Sequence, residues 1–449
     1  MRRMLRIELE VNLPEGQASA NEIFEAMSTA LVSVFEQGTQ CVLEGYQEEV
    51  LDAVCSRGHA AEKLAWCAHR DKRHPGRRCE GRSFQRAGSW NEDRRLRGER
   101  GEVSFRPKMV SCRRCGRHVT PILAALELRA HQTQTEQLLC KVVEAVSDTS
   151  YRRSIDQLSV LAEVPVAKST AHRWAASVEM PVQPSGKSDV LAADGTGFKN
   201  QQTDKGQVRL VLKIGPEKSV TPVGVWAGKT WEQIAAEVQQ VQEGQARLFV
   251  SDGERGIEEW LGRLAEGSQR CQWHTSREVG YALWEDDLPR PERDALRRHV
   301  SRLVAVEVPE EDVEFVSEAE KQALNQRIQE AEKQIEALQA EFEQKGYPKA
   351  ATYLRRARDQ LFSHLRLWLQ TGIVAPRTTS IVENLIRELV RRLKKIGWNW
   401  SDAGAERLGR FVMIRRYDAE AWQRFWQERM NLRGRCQIIL RCCRLENAA

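Results

Sequence analysis

Long apolar runs are missing from this sequence. Although 41% of its 449 residues are hydrophobic, no stretch approaches the roughly 20 apolar residues that cross a bilayer, so no membrane role is expected. No secretory leader is expected either, since Met1-Arg2-Arg3 opens into the alternating, strand-like run over residues 5–13 instead of an apolar core. A cytoplasmic, nucleoid-associated location is the corresponding expectation. No disulfide framework is expected: eleven cysteines, an odd number in a long charged chain, suit reduced thiols and metal ligation better. The formal net charge is only +6, but it is unevenly spread, with basic residues crowded between Arg70 and Arg117 and again between Arg387 and Lys395. Such local patches favour a polyanion partner.

What is present reads as several domains. Residues 1–54 pair the first strand with a helix over 20–54, where Ile23, Met27, Leu31, Val34, Phe35, Val42 and Leu43 recur mostly at three- and four-residue steps; a scaffold or dimerising role is expected. Residues 55–125 are basic and contain Cys112-Arg113-Arg114-Cys115-Gly116. Two thiolates at that spacing close a tight turn on one tetrahedral metal, and the glycine permits the turn. That is half of a zinc-ribbon-like site. Cys67, His69, His74 and Cys79 are candidates for the other half, with Cys67 and Cys79 the expected partners of Cys112 and Cys115 and His74 the first substitute.

Residues 126–180 read as a helix-turn-helix, with two helical patterns over 149–178 about a turn at Glu163-Val164-Pro165. Its second helix would offer Lys168, Ser169, His172 and Arg173 to a DNA groove. Residues 181–188, with two prolines, a glycine and two serines, form a linker.

Residues 189–276 alternate as a mixed sheet does. Val190-Leu191-Ala192-Ala193 leads into Asp194-Gly195, two strands and a helix follow, and Leu248-Phe249-Val250 ends in Ser251-Asp252-Gly253. Residues 269–273 are expected to form the next short strand and to deliver Cys271 and His274. Three strands before the first helix, with one acid on the first strand and another after the fourth, is the plan of an RNase H-like fold, in which Asp194 and Asp252 would meet. Two such carboxylates repel and raise each other's pKa unless a cation neutralises them, which makes Mg²⁺ or Mn²⁺ the natural third party.

Residues 277–376 interrupt that plan. Leu324, Ile328, Ala331, Ile335, Leu338 and Phe342 form a heptad seam, Gly346-Tyr347-Pro348 breaks it, and Leu354, Ala357, Leu361, Leu365 and Trp368 form a second seam. An antiparallel helical hairpin follows from this. Residues 377–420 then carry Glu383 in the first turn of an Arg/Lys-rich helix, with Thr379 or Ser380 as N-cap. Residues 421–449 read as a helical tail.

Taken together, Ala193-Asp194-Gly195, Ser251-Asp252-Gly253, Cys271-Gln272-Trp273-His274 and Ser380-Ile381-Val382-Glu383-Asn384 resemble the DDE transposases of bacterial insertion sequences, in particular the Mutator-like group, whose RNase H-like core is split by an all-helical insertion. The expected fold class is therefore multidomain α+β, an RNase H-like mixed sheet with helical insertion, preceded by a zinc-ribbon-like region and a helix-turn-helix. The resemblance implies Asp194, Asp252 and Glu383 as catalytic ligands of two Mg²⁺ or Mn²⁺ ions, with Cys271 and His274 supporting the site. It implies transposon terminal inverted repeats and target DNA as partners, and action as a homodimer or higher oligomer on DNA. Arg387, Arg391, Arg392, Lys394 and Lys395 would run along phosphates, giving salt-sensitive binding. A non-catalytic, transposase-derived DNA-binding protein and a structure-specific nuclease of the same fold are the alternatives. A zinc hydrolase built on Cys271 and His274 would have only two ligands and no obvious third.

Overall fold

The computed structural model describes residues 19–56, 83–129, 131–161, 165–183, 188–216, 219–309, 312–395 and 399–431. The expected strand over 5–13, the candidate ligands Cys67, His69, His74 and Cys79, and the tail beyond residue 431 lie outside them. The chain divides into two compact units, one of residues up to 145 together with 152–171, the other of residues 146–151 and from 172 onward.

In the first unit α1 (Ala20–Cys55) begins at a capping box, in which Ser19 and Glu22 satisfy each other's backbone N–H groups. Its last third buries Val50, Leu51 and Val54 against Phe84, Val110 and Cys112. The Gln47 amide fixes the contact, donating to the Arg106 carbonyl at 3.0 Å and accepting from the Lys108 N–H at 2.9 Å. The strands it braces are β1 (Phe84–Ser89), β2 (Arg94–Gly98), β3 (Gly101–Phe105), β4 (Lys108–Cys112) and β5 (His118–Val119). β1, β4 and β5 make an antiparallel sheet, and β2 and β3 a hairpin. Cys112 ends β4, and the turn that follows is closed by Gly116 N–H on the Cys112 carbonyl at 2.8 Å, with Gly116 at φ +72°. Helices α2 (Pro121–Ala125), α3 (Glu136–Asp148), α4 (Tyr151–Leu161) and α5 (Lys168–Ala176) follow. On α5 Ala171, Trp174 and Ala175 are buried, while Ser169, His172 and Arg173 are exposed and Lys168 is half-buried.

The second unit is built on a mixed five-stranded sheet of β6 (Val190–Asn200), β7 (Asp204–Ile214), β8 (Val220–Ala227), β9 (Ala246–Ser251) and β10 (Ala265–Arg270), in the order β10-β9-β6-β7-β8. β6, β7 and β8 are antiparallel, whereas β9 and β10 run parallel to β6. Strand alternation sends Val190 and Ala192 to one face and Leu191 and Ala193 to the other. Helix α6 (Trp231–Val241), with the short α7 (Arg255–Trp260), covers the second face through Trp231, Ile234, Val238 and Ile257. The first face is covered by two helices from beyond the insertion, α13 (Ser380–Leu393) and α14 (Asp402–Tyr417), through Val382, Leu385, Leu389, Leu408 and Val412. Gly409 lets α14 approach closely, since a Cβ there would lie 2.6 Å from Val225.

Between β10 and α13 lie α8 (Gln272–Glu285), α9 (Arg290–Leu303), α10 (Glu318–Gln344), α11 (Pro348–Ala357) and α12 (Ser363–Thr371), and α15 (Ala419–Met430) follows α14. The residues α10 buries are the six of the predicted seam. All five residues of the second seam are buried as well, although their helix is divided by a 3₁₀ turn at Arg358–Gln360. Val279, Leu283 and Val300 of α8 and α9 complete this core, so the seams are filled within one chain.

One expectation is corrected here. The predicted strand over 269–273 stops at Arg270, and Cys271 is instead the N-cap of α8; Gln272, His274, Thr275, Val279 and Leu283 bury one face of a helix that begins there. Asp194 lies inside β6, which runs on to Asn200 because β7 pairs along the whole of that length. Replacing Phe342 by Ala, which empties a fully buried ring site in the insertion, is expected to lower stability by about 3–5 kcal/mol, read from denaturant unfolding of the intact chain.

Candidate active site

The register between β6 and β9 pairs Val190 with Leu248 and Ala192 with Val250. Continued two residues, it sets Asp194 beside Asp252, at the carboxyl end of β9 where open sheets place ligands. Alternation turns Asp194 toward the face that α13 covers, and α13 carries Glu383 in its first turn. The consequence is electrostatic. The Asp194 carboxyl is pushed up from 3.8 to about 7, first by burial and then by the negative charges of Asp252, Glu383 and Glu254, against one stabilising hydrogen bond from Gly195 N–H at 2.6 Å. Asp194, Asp252 and Glu383, predicted from three distant stretches, thus share one electrostatic site. Glu254 is the fourth acid, held by the Trp231 indole N–H at 2.8 Å, and its own N–H donates to Asp252 Oδ1 at 2.9 Å. It follows Asp252 by two residues.

Cys271 and His274 fasten the Glu383 helix to the sheet. The buried Cys271 Sγ accepts the N–H of Thr379 at 3.3 Å, and the Gln272 N–H donates to the Arg377 carbonyl at 3.0 Å. The Thr379 hydroxyl, fully buried, lies 3.2 Å from both Glu383 Oε1 and His274 Nδ1. A hydroxyl has one proton and a carboxylate only accepts, so Thr379 donates to Glu383 and accepts from His274 Nδ1–H. This fixes the imidazole tautomer and leaves Nε2 as the acceptor. His274 Nδ1 and Glu383 Oε1 are 3.9 Å apart, too far for a hydrogen bond. Burial, with the nearby Arg277, holds the His274 pKa below its ordinary value, so the hydroxyl, and not an ion pair, joins them. Sequence reading assigned Thr379 only a capping role, and its side chain makes no cap hydrogen bond.

Arg270 supports Asp252 from the other side. It is 5% exposed, donates to the Asp252 carbonyl at 3.3 Å and pairs with Glu258 at 3.2 Å. Gly253 makes room for it: φ there is +94°, and a Cβ would lie 0.9 Å from Arg270 Nη1.

Of the basic residues expected on DNA, Arg387, Arg391, Lys394 and Lys395 are exposed. Lys394 Nζ donates to the Thr196 hydroxyl at 2.8 Å on the Asp194 strand, and Arg391 pairs with Glu388 at 3.2 Å. Arg392 is a correction. It is 2% exposed, donates to the Val146 carbonyl and is pushed down to about 10, chiefly by burial. The helical repeat explains this, because position 392 falls on the stripe of Leu385, Leu389 and Leu393 that faces inward.

Carboxylate oxygens are hard donors suited to Mg²⁺ or Mn²⁺, and the raised Asp194 pKa measures charge that such a cation would neutralise. The residues fit a divalent ion in type and in charge. As they stand, no three His, Cys, Asp or Glu groups among the described residues converge closely enough to hold one.

Two outcomes follow. The folded chain binds the Asp194 proton more tightly than the unfolded chain does, so stability should fall as pH rises from about 4 to about 7 and then level off. Asp194→Asn should match the wild type near the lower limit and exceed it in melting temperature above the upper one; equal melting temperatures at high pH would refute the assignment. In ¹⁵N-histidine NMR, His274 should show the Nδ1–H tautomer, and Thr379→Val should shift it toward Nε2–H.

Comparison with protein-family models and with curated proteins finds no match to this chain. Its functional reading rests on the residues and their geometry.

Proposed function

We propose that this chain is a DDE-type transposase that cleaves DNA at transposon ends and joins the freed end to target DNA. The observation that carries the reading is the carboxylate site, in which Asp194 is held near neutrality by burial and by Asp252, Glu383 and Glu254. Perturbation of that kind is concentrated where charge is used. The order β10-β9-β6-β7-β8, with three antiparallel strands followed by two parallel ones, supports the RNase H-like assignment. So does the helical insertion that separates β10 from the Glu383 helix.

Asp194, Asp252 and Glu383 would hold the ions. When bound, Mg²⁺ or Mn²⁺ activates the attacking oxygen and stabilises the leaving oxygen of an in-line displacement at phosphorus. The chain's own residues do the rest. Thr379 and His274 keep the Glu383 carboxylate directed, Arg270 holds the Asp252 loop, and Arg387, Arg391, Lys394 and Lys395 attract the phosphates. Attack by water releases a 3′-hydroxyl, which then attacks target DNA, so neither step needs a serine or tyrosine nucleophile. The helix-turn-helix of α4 and α5, with Lys168, Ser169, His172 and Arg173, would select the terminal repeats. Cys112 and Cys115 would supply half of a structural zinc site that Cys67 and Cys79 complete.

With Mn²⁺ and duplexes carrying the flanking terminal repeats of the element, the wild type should cleave and join. Asp194→Asn, Asp252→Asn and Glu383→Gln should each lose both steps, by at least about 100-fold, the scale of removing a group that stabilises developing charge, yet retain duplex binding in a gel-shift assay. Joining at the wild-type rate by any one of them removes that residue from the site. Cleavage without joining would favour the nuclease reading.

A further inference from the structure

Helix α8 leaves the active site with large aromatic side chains turned to solvent. Trp273, Tyr281 and Trp284 are 52%, 55% and 61% exposed. With Arg277 they step by four, four and three residues, which sets them on one face of the helix. The Arg277 guanidinium lies over the Trp273 ring at 4.8 Å. Trp273 itself adjoins His274, the residue linked through Thr379 to Glu383.

The neighbouring surface is basic. α9 carries five arginines against two acids, and its Arg297 packs on Gly280 of α8, where a Cβ would lie 3.3 Å from Arg297 Cδ. Tyr281 also lines a cleft of about 810 Å³ that begins at Gly253 and holds both basic residues, among them Arg255 and Arg356, and the acids Glu258, Glu278 and Glu285. The cleft therefore begins at the loop that carries Asp252 and ends on the aromatic face.

We propose that this face and cleft bind an unpaired DNA strand next to the reacting phosphodiester. Resting on the strand-transfer reading above, the proposal names which form of DNA the site engages. Bases stack on Trp273, Tyr281 and Trp284, while the α9 arginines, with Arg255 and Arg356 of the cleft, meet the phosphates; aromatic rings interleaved with arginine are the means by which single strands are held without regard to sequence. Duplex DNA keeps its base faces stacked internally and offers nothing to exposed rings. A purely protein partner would gain little from the arginines.

The test is a binding titration of the full chain, without catalysis, against a 2-aminopurine-labelled single-stranded oligothymidylate and against a blunt duplex. The wild type should quench the label. Trp273→Ala/Tyr281→Ala/Trp284→Ala should weaken single-strand binding by at least about 10-fold, the low end for lost base stacking, and abolish the quench, with duplex affinity unchanged. Trp284→Ala alone, at the most exposed ring, should show a partial loss, and Trp284→Phe should restore it. Unchanged single-strand binding by both alanine variants overturns the proposal. If the triple variant instead changes only the mass of the chain in sedimentation, the face seats a second copy and the proposal is likewise overturned. Strand binding by a wild type that neither cleaves nor joins DNA would refute the transposase reading while leaving this one standing.

Discussion

Like charges gathered in a partly dry place are the constraint around which the second unit is arranged. Asp194 sits in the middle of a strand, half-buried, with Asp252, Glu383 and Glu254 near enough to oppose its ionisation. A chain selected for stability alone would not keep such a group. The surrounding structure holds the acids against their repulsion. β7 pairs along the full length of β6, Arg270 grips the Asp252 loop, and the Cys271, His274 and Thr379 contacts anchor the helix that carries Glu383. Each acid comes from a different element, so their mutual distance is set by packing and not by chain connectivity.

The insertion gains its meaning from that arrangement. It separates β10 from α13 in sequence by more than a hundred residues, yet Cys271 at its beginning touches Thr379 at its end. Its hydrophobic seams close on each other and on α8 and α9, so it packs as a body with both ends at the candidate site. Gln269 strengthens the junction, since its amide donates to the Leu361 carbonyl and accepts from the backbone N–H of His364. The exposed aromatic face of α8 leaves from the same junction, which ties a surface suited to unpaired bases to the residues that hold Glu383.

Much of this was legible in the residues. Heptad periodicity identified the six buried positions of α10, and the apolar run before Ser251-Asp252 identified β9. Such patterns succeed because burial repeats with the period of the element and every residue in the window reports it. Reading failed where one residue decides the outcome. The run Gln269–Trp273 looked like a strand because Cys, Gln and Trp are compatible with one, but the chain turns at Cys271 and its hydrogen bonds pass to a helix. Arg392 was grouped with its basic neighbours because charge type says nothing about helical phase.

The sequence by itself determined most of the elements, their order and the seams of the helical segment, since these follow from local periodicity, and a resemblance in short motifs singled out Asp194, Asp252 and Glu383 as candidates. Tertiary structure alone decided that Thr379 joins His274 to Glu383, that Arg270 occupies the space a Gly253 side chain would fill, and that Glu254 belongs with the other acids. Those relations depend on distances of about a hydrogen bond between atoms far apart in the chain. No local pattern encodes such a distance, because it is fixed only when the sheet, the insertion and the last helices pack together.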